Sequence, residues 1–126
     1  MSRSELADWY RAADLVAVPS YTESFGLVAV EAQASGAVVL AAQVGGLPTA
    51  VGDAGVLVPD HDPTTWAEAM LRIIDDPDLA ADLRGRARRH AEGFGWSDTV
   101  DRLLDVYEDA VAERSAVNAN PLEVAR

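Results

Sequence analysis

The sequence predicts an α/β fold, a parallel sheet of about three strands with helices between and after them. Three observations point there. Short apolar runs alternate with helix-period segments up to Pro59. Those runs are apolar on consecutive residues, as strands buried on both faces are. Beyond Asp62 they stop, and only helical periodicity remains.

In chain order, Ser4 to Ala12 reads as a short helix with Ser4 as its N-cap. Asp14 to Val18 is the first strand, ended by Pro19, and Ser20 to Phe25 is a loop. Gly26 to Ser35 reads as a helix with a small-residue face, closed by Gly36. Ala37 to Ala42 is the second strand. Gly45-Gly46-Leu47-Pro48 forms a turn into a short helix that reaches Val51. Gly55 to Val58 is the third strand. Asp62-Pro63 and Asp76-Pro77 each start a helix, with Asp as N-cap and Pro at the first helical position. The second of these reaches His90. Trp96 opens the last long helix, with a stripe of Trp96, Val100, Leu103, Leu104, Tyr107 and Val111. Residues 115–126 lack periodicity and read as a disordered tail after a single domain over residues 1–114. A doubly wound sheet has two βαβαβ halves, and one is found.

Composition narrows the function classes. The chain has 126 residues, 49% of them apolar, and a net charge of −11. That charge disfavours a duplex nucleic-acid binder, which needs a basic face to replace phosphate counterions. With no cysteine, disulfides, thiolate metal sites and cysteine nucleophiles are excluded. No lysine is present, so every fixed positive side chain is Arg. No apolar run is long enough for a membrane span. The N-terminus has no apolar signal region, which makes the cytoplasm the expected location.

The chemistry concentrates between Pro19 and Glu31. In an open α/β sheet, ligands bind beyond the carboxyl ends of the strands, where the loop before Gly26 sits. Backbone N–H groups from about Phe25 to Val28 are expected to be unpaired at a helix start and suited to a pyrophosphate. Gly26, lacking a Cβ, is expected to admit a ligand to its backbone. Glu31, about 7.5 Å along the helix from its start, can accept from vicinal hydroxyls such as a ribose offers. Glu23, ahead of the helix, can meet hexose hydroxyls or stand near developing positive charge. A pyrophosphate between two such carboxylates describes a nucleotide-sugar donor. Glu pairs at this spacing are common by chance among 21 acids; the placement between strand and helix is what singles this one out.

Taken together, Tyr10-Arg11-Ala12-Ala13-Asp14, Pro19-Ser20, Glu23-Ser24-Phe25-Gly26-Leu27, Glu31-Ala32, Gly36 and Gly45-Gly46-Leu47-Pro48 resemble the signature of GT4-type retaining glycosyltransferases. Glu23 and Glu31 meet that family's E-x7-E motif, and the similarity covers about residues 4 to 112. The resemblance implies half of a Rossmann-like GT-B C-terminal domain. Glu23 would be the catalytic carboxylate beside the donor sugar. Phe25, Gly26 and Leu27 would hold pyrophosphate and sugar through backbone N–H groups, and Glu31 the uridine ribose. The wording is most similar to members that use UDP-GlcNAc and an inositol phosphate acceptor in mycothiol synthesis. It also implies a structural Mg²⁺ on Tyr10, Arg11 and Ala13, where the expected Thr hydroxyl is replaced by Ala37; no cofactor is required for the chemistry. The family's acceptor domain and the cationic side chains that neutralise the diphosphate have no counterpart here. Little or no turnover is therefore expected of this chain alone.

Two other readings stand beside this one. One is a non-catalytic module that self-associates or binds a partner chain through an open sheet edge. The other is a phosphosugar-binding regulator or epimerase on a similar fold. His61 reads as a surface turn residue, and Arg84, Arg86, Arg88, Arg89 and His90 as a solvated helix face. Gly45-Gly46 reads first as a tight turn, with donor contact as the alternative.

Overall fold

The computed structural model describes residues 1–119. The chain divides into two units, Met1–Gly93 and Phe94–Arg126.

The first unit runs α1 (Arg3–Ala12), β1 (Val16–Val18), α2 (Leu27–Ala34), β2 (Val39–Ala42), α3 (Leu47–Val51), β3 (Val56–Val58), α4 (Pro63–Ile74) and α5 (Pro77–Glu92). The strands form one parallel sheet in the order β1-β2-β3. Val16 pairs with Val39, and Leu40 with Val56. The central strand β2 is buried at every residue, which is why its sequence is apolar without alternation. At the edge strand β1, Ala17 is exposed between a half-buried Val16 and a buried Val18.

Caps set most helix boundaries. The N-cap of α1 is Ser2, two residues before the expected Ser4. Ser2 Oγ accepts from the Glu5 N–H, and the Glu5 carboxylate accepts from the Ser2 N–H at 2.6 Å. This reciprocal pair satisfies two orphan donors at once. Asp62 and Asp76 cap α4 and α5 as expected, each with Pro at the start of its helix. Helix α2 is shorter than expected at its start, because Gly26 is the N-cap, with φ +103°.

Helix α2 buries Ala29, Val30, Ala32 and Gln33, and α5 buries Ala80, Leu83, Ala87 and Ala91. Alanine on both faces lets these two helices approach closely. The Gln33 amide lies wholly inside and donates to the carbonyls of Val51 at 3.0 Å and Ala54 at 3.2 Å. Trp66 of α4 packs on the core and donates its indole N–H to the Asp60 carbonyl at 2.8 Å.

The second unit contains one helix, α6 (Trp96–Ala119). It continues past residue 114, so 115–119 are helical rather than part of a tail. The rest of the expected tail, 120–126, lies outside the described residues. The stripe residues Val100, Leu103, Leu104, Tyr107 and Val111 are exposed among the described residues. No helix among the described residues is long and apolar enough to cross a membrane.

Candidate functional site

The loop after β1 and the turn after β2 meet at the carboxyl end of the sheet. Tyr21, Thr22, Glu23 and Ser24 from the loop and Gly45 from the turn line a cleft of about 380 Å³. The Gly46 N–H donates to the Glu23 carbonyl at 2.9 Å. A Cβ on Gly45 would overlap that same oxygen, and one on Gly46 would stand 2.6 Å from Phe25 Cα. The two glycines are therefore required by the close approach of the two backbones. Glu23 is half-buried in this cleft.

Past the cleft, the chain turns into α2 at Gly26. The Gly26 carbonyl accepts from the N–H groups of Ala29 and Val30. The N–H groups of Leu27 and Val28 find no acceptor among the described residues, as the first turn of a helix dictates. They carry the positive end of the helix dipole. Gly26 itself is buried, and a Cβ there would lie 2.7 Å from Leu47 Cδ2. Leu47, not a ligand, occupies that side, so the expected approach of a ligand through the missing Cβ is not available. The glycine is needed for the left-handed turn and for packing against α3. Phe25 precedes it with its side chain at the surface.

Glu31 does not share the Glu23 cleft. It lies with Leu27, Val28 and Ala34 on the exposed stripe of α2. There it lines a second cleft of about 240 Å³, together with Arg3, Leu6, Ala7 and Tyr10 of α1 and Ala34 and Ser35. Burial raises the Tyr10 phenol above its ordinary pKa, and the Glu31 carboxylate adds to the shift. The exposed stripe runs from the free amides at the start of α2 to this second cleft. The two acids thus stand at the ends of one path across the helix start.

At the end of α1, the Ala13 N–H donates to the Trp9 carbonyl, so the carbonyls of Tyr10 and Arg11 are left without helix partners. Ala37, which stands where the resemblance expects a Thr hydroxyl, is buried and has no side-chain oxygen to add. Among the described residues, no group of three or more His, Cys, Asp or Glu is placed to hold a metal ion. A Mg²⁺ here would rest on neutral carbonyls alone, and Mg²⁺ usually binds through carboxylates, waters and phosphates. The donor set fits the ion poorly.

Sequence reasoning missed the role of His61. It is half-buried, its Nε2 is 3.1 Å from the Ser20 carbonyl, and its ring stacks on Tyr21 at 4.2 Å with 7° between the planes. The signal was weak, because 41 positions separate His61 from Ser20. His90 is also a packing residue, with Nε2 3.0 Å from the Ala50 carbonyl and its ring filling the space beside Gly52. Arg84, Arg88 and Arg89 line an open groove with Gly36, while Arg86 turns away to Asp82 and the Asp53 carbonyl.

Residues 1–76 match the family described as glycosyl transferases group 1. The chain is 62% identical over 109 residues to D-inositol 3-phosphate glycosyltransferase 1 of Catenulispora acidiphila, covering 85% of this chain and 26% of that protein. It is 52% identical over 126 residues to D-inositol 3-phosphate glycosyltransferase of Kineococcus radiotolerans, covering 92% and 29%. Among solved structures, it superposes on sucrose-phosphate synthase of Thermosynechococcus elongatus with a TM-score of 0.78 and 37% identity, over 90% of this chain and 29% of that one. The chain spans between a quarter and a third of the length of these relatives.

Proposed function

The chain belongs to the glycosyl transferases group 1, and on that premise we propose that it is the donor-binding part of a GT-B glycosyltransferase that takes a nucleotide sugar, UDP-GlcNAc, for retaining transfer to an inositol phosphate. One observation carries the reading: the acceptor-free amides of Leu27 and Val28 adjoin a cleft that holds Glu23, at the carboxyl end of a parallel sheet.

In this reading the diphosphate lies on the start of α2. The amides and helix dipole stabilise its charge, which grows as the sugar–phosphate bond breaks. The hexose enters the Glu23 cleft, where the carboxylate faces its hydroxyls and the electron-poor sugar carbon. The ribose lies along the exposed stripe, with its two hydroxyls on Glu31. The names of the relatives support the inositol phosphate acceptor. We assign the acceptor pocket, and cations to neutralise the diphosphate further, to the length of those relatives that this chain does not span. Donor binding is accordingly assigned to this chain, and turnover is not expected of it alone. Neither step needs a metal.

Calorimetry separates the roles. Wild type should bind both UDP and UDP-GlcNAc. Glu31→Ala should weaken both by about tenfold or more, the loss of a charge-assisted hydrogen bond. Glu23→Ala should weaken UDP-GlcNAc and leave UDP nearly unchanged. Equal affinities in wild type and Glu31→Ala would overturn the assignment.

The exposed edge of β1, with Ala17 uncovered in mid-strand, favours a second reading: a non-catalytic module that pairs with a partner chain or a second copy. A monomer that stays monomeric on size exclusion at high concentration would contradict it.

A further inference from the structure

We propose that His61 is a positioning residue of the Glu23 cleft, holding the loop after β1 through its bond to the Ser20 carbonyl and its stack on Tyr21. The inference rests on the donor-site reading and adds a residue to it. A surface loop between a strand and a helix is mobile unless something fixes it. On one side, the Gly46 N–H holds the Glu23 carbonyl. On the other side, the His61 side chain reaches the loop at both Ser20 and Tyr21.

His61 is itself held on both flanks. The Asp60 carbonyl takes the indole N–H of buried Trp66. Asp62 caps α4, and its own N–H donates to the Asp60 carboxylate at 3.0 Å. The core thus fixes the imidazole, and the imidazole fixes the loop. Since a carbonyl only accepts, His61 must carry a proton on Nε2 in this arrangement. Tyr21, backed by the imidazole on one face, lines the cleft beside Glu23.

Three variants divide the two contacts. His61→Phe keeps a ring for the stack, His61→Gln keeps a side-chain donor, and His61→Ala keeps neither. His61→Ala should weaken UDP-GlcNAc by about tenfold while changing UDP little, because the hexose end of the site is what moves. The other two should recover part of that loss. Independently of any ligand, amide exchange at Gly46 should quicken in His61→Ala, because Glu23 leaves its partner. In wild type, the His61 ring protons should be shifted upfield by the Tyr21 ring, and Tyr21→Leu should move them back.

Wild-type affinity together with wild-type Gly46 exchange in His61→Ala overturns the proposal and leaves the donor site standing. If wild type binds no nucleotide sugar, the donor reading falls and the Gly46 exchange decides the role of His61. Should His61→Ala not fold, Tyr21→Leu answers through the same two signals, and unchanged His61 shifts there would sink the stack.

Discussion

The backbone N–H of Gly46 donates to the carbonyl of Glu23 across 2.9 Å, so the turn after β2 fixes the loop after β1. Gly45 has φ +52°, and a Cβ there would overlap the Glu23 carbonyl. Gly45→Ala meets two obstacles. The left-handed backbone costs an L-residue about 1–2 kcal/mol, and the overlap forces the loop away from the turn. We expect circular dichroism to report an intact fold with a lower melting temperature. Binding of UDP-GlcNAc should fall by more than tenfold, as a misplacement of about 1 Å in a site can cost far more than that. An unchanged affinity would show that the cleft does not bind the donor.

Tyr10 and Glu31 face each other across the second cleft, which makes a direct measurement possible. Burial raises the phenol first, and the Glu31 carboxylate raises it further. Removing that charge in Glu31→Gln should bring the phenol back toward its ordinary value. Absorbance titration of the phenolate should show one tyrosine ionising at lower pH in the variant than in wild type. The sign for stability follows from the same shift. A raised phenol pKa stabilises the fold while Tyr10 is protonated, and that contribution is lost as pH rises through the folded value. A titration identical in the two proteins would mean that Glu31 does not face Tyr10, and with it the proposed ribose end of the path would lose its geometry.

How legible the molecule was in its sequence can be seen residue by residue. Asp62-Pro63 and Asp76-Pro77 marked the starts of their helices to the residue, since cap and proline act locally. The three strands were found because a strand buried on both faces needs an unbroken apolar run, although each proved shorter than its run. Ser2 was missed as the cap of α1, because Ser2 and Ser4 both precede the helix pattern and only Ser2 has Glu three positions on. The Glu23 loop and the helix start at Gly26 were readable as neighbours at the carboxyl end of the sheet. The separation of Glu23 and Glu31 into two clefts was not, because it depends on α1 packing beside α2. Nor was the His61 contact, for which no local pattern exists.

Gln33 supplies a stability prediction. Its amide N–H groups satisfy the Val51 and Ala54 carbonyls inside the core, while its own Oε1 has no partner among the described residues. Gln33→Leu strands the Ala54 carbonyl, whereas the Val51 carbonyl keeps the Ala54 N–H at 3.2 Å, and it removes the unmet oxygen, so the net cost should be only about 1 kcal/mol, the worth of an ordinary hydrogen bond. Gln33→Glu should cost more at neutral pH, because it turns a carboxylate toward two carbonyls. Burial and the facing oxygens raise that carboxyl, so the variant should be more stable in acid than at neutral pH. Denaturant unfolding at two pH values checks both the order of the variants and the sign.

Asp62 Oδ1 accepts the Thr64 N–H at 2.7 Å and the Thr65 N–H at 3.4 Å. These bonds to Thr64 and then Thr65 hold the carboxyl below its ordinary value of 3.8. The folded state therefore binds a proton less readily than the unfolded chain. The cap's contribution is fully present above the ordinary value and disappears as pH falls through the depressed one. Asp62→Ala should melt below wild type at neutral pH, and the gap should close only in strong acid. Asp62→Asn, which keeps an oxygen acceptor and has no proton to gain, should lie close to wild type at neutral pH and lose nothing more on acidification. Because Asp62 also starts the helix that carries Trp66, and Trp66 holds the Asp60 carbonyl beside His61, Asp62→Ala should quicken amide exchange at Gly46 as well. A gap that widened in acid would reverse the sign and rule out the capping carboxylate as its source.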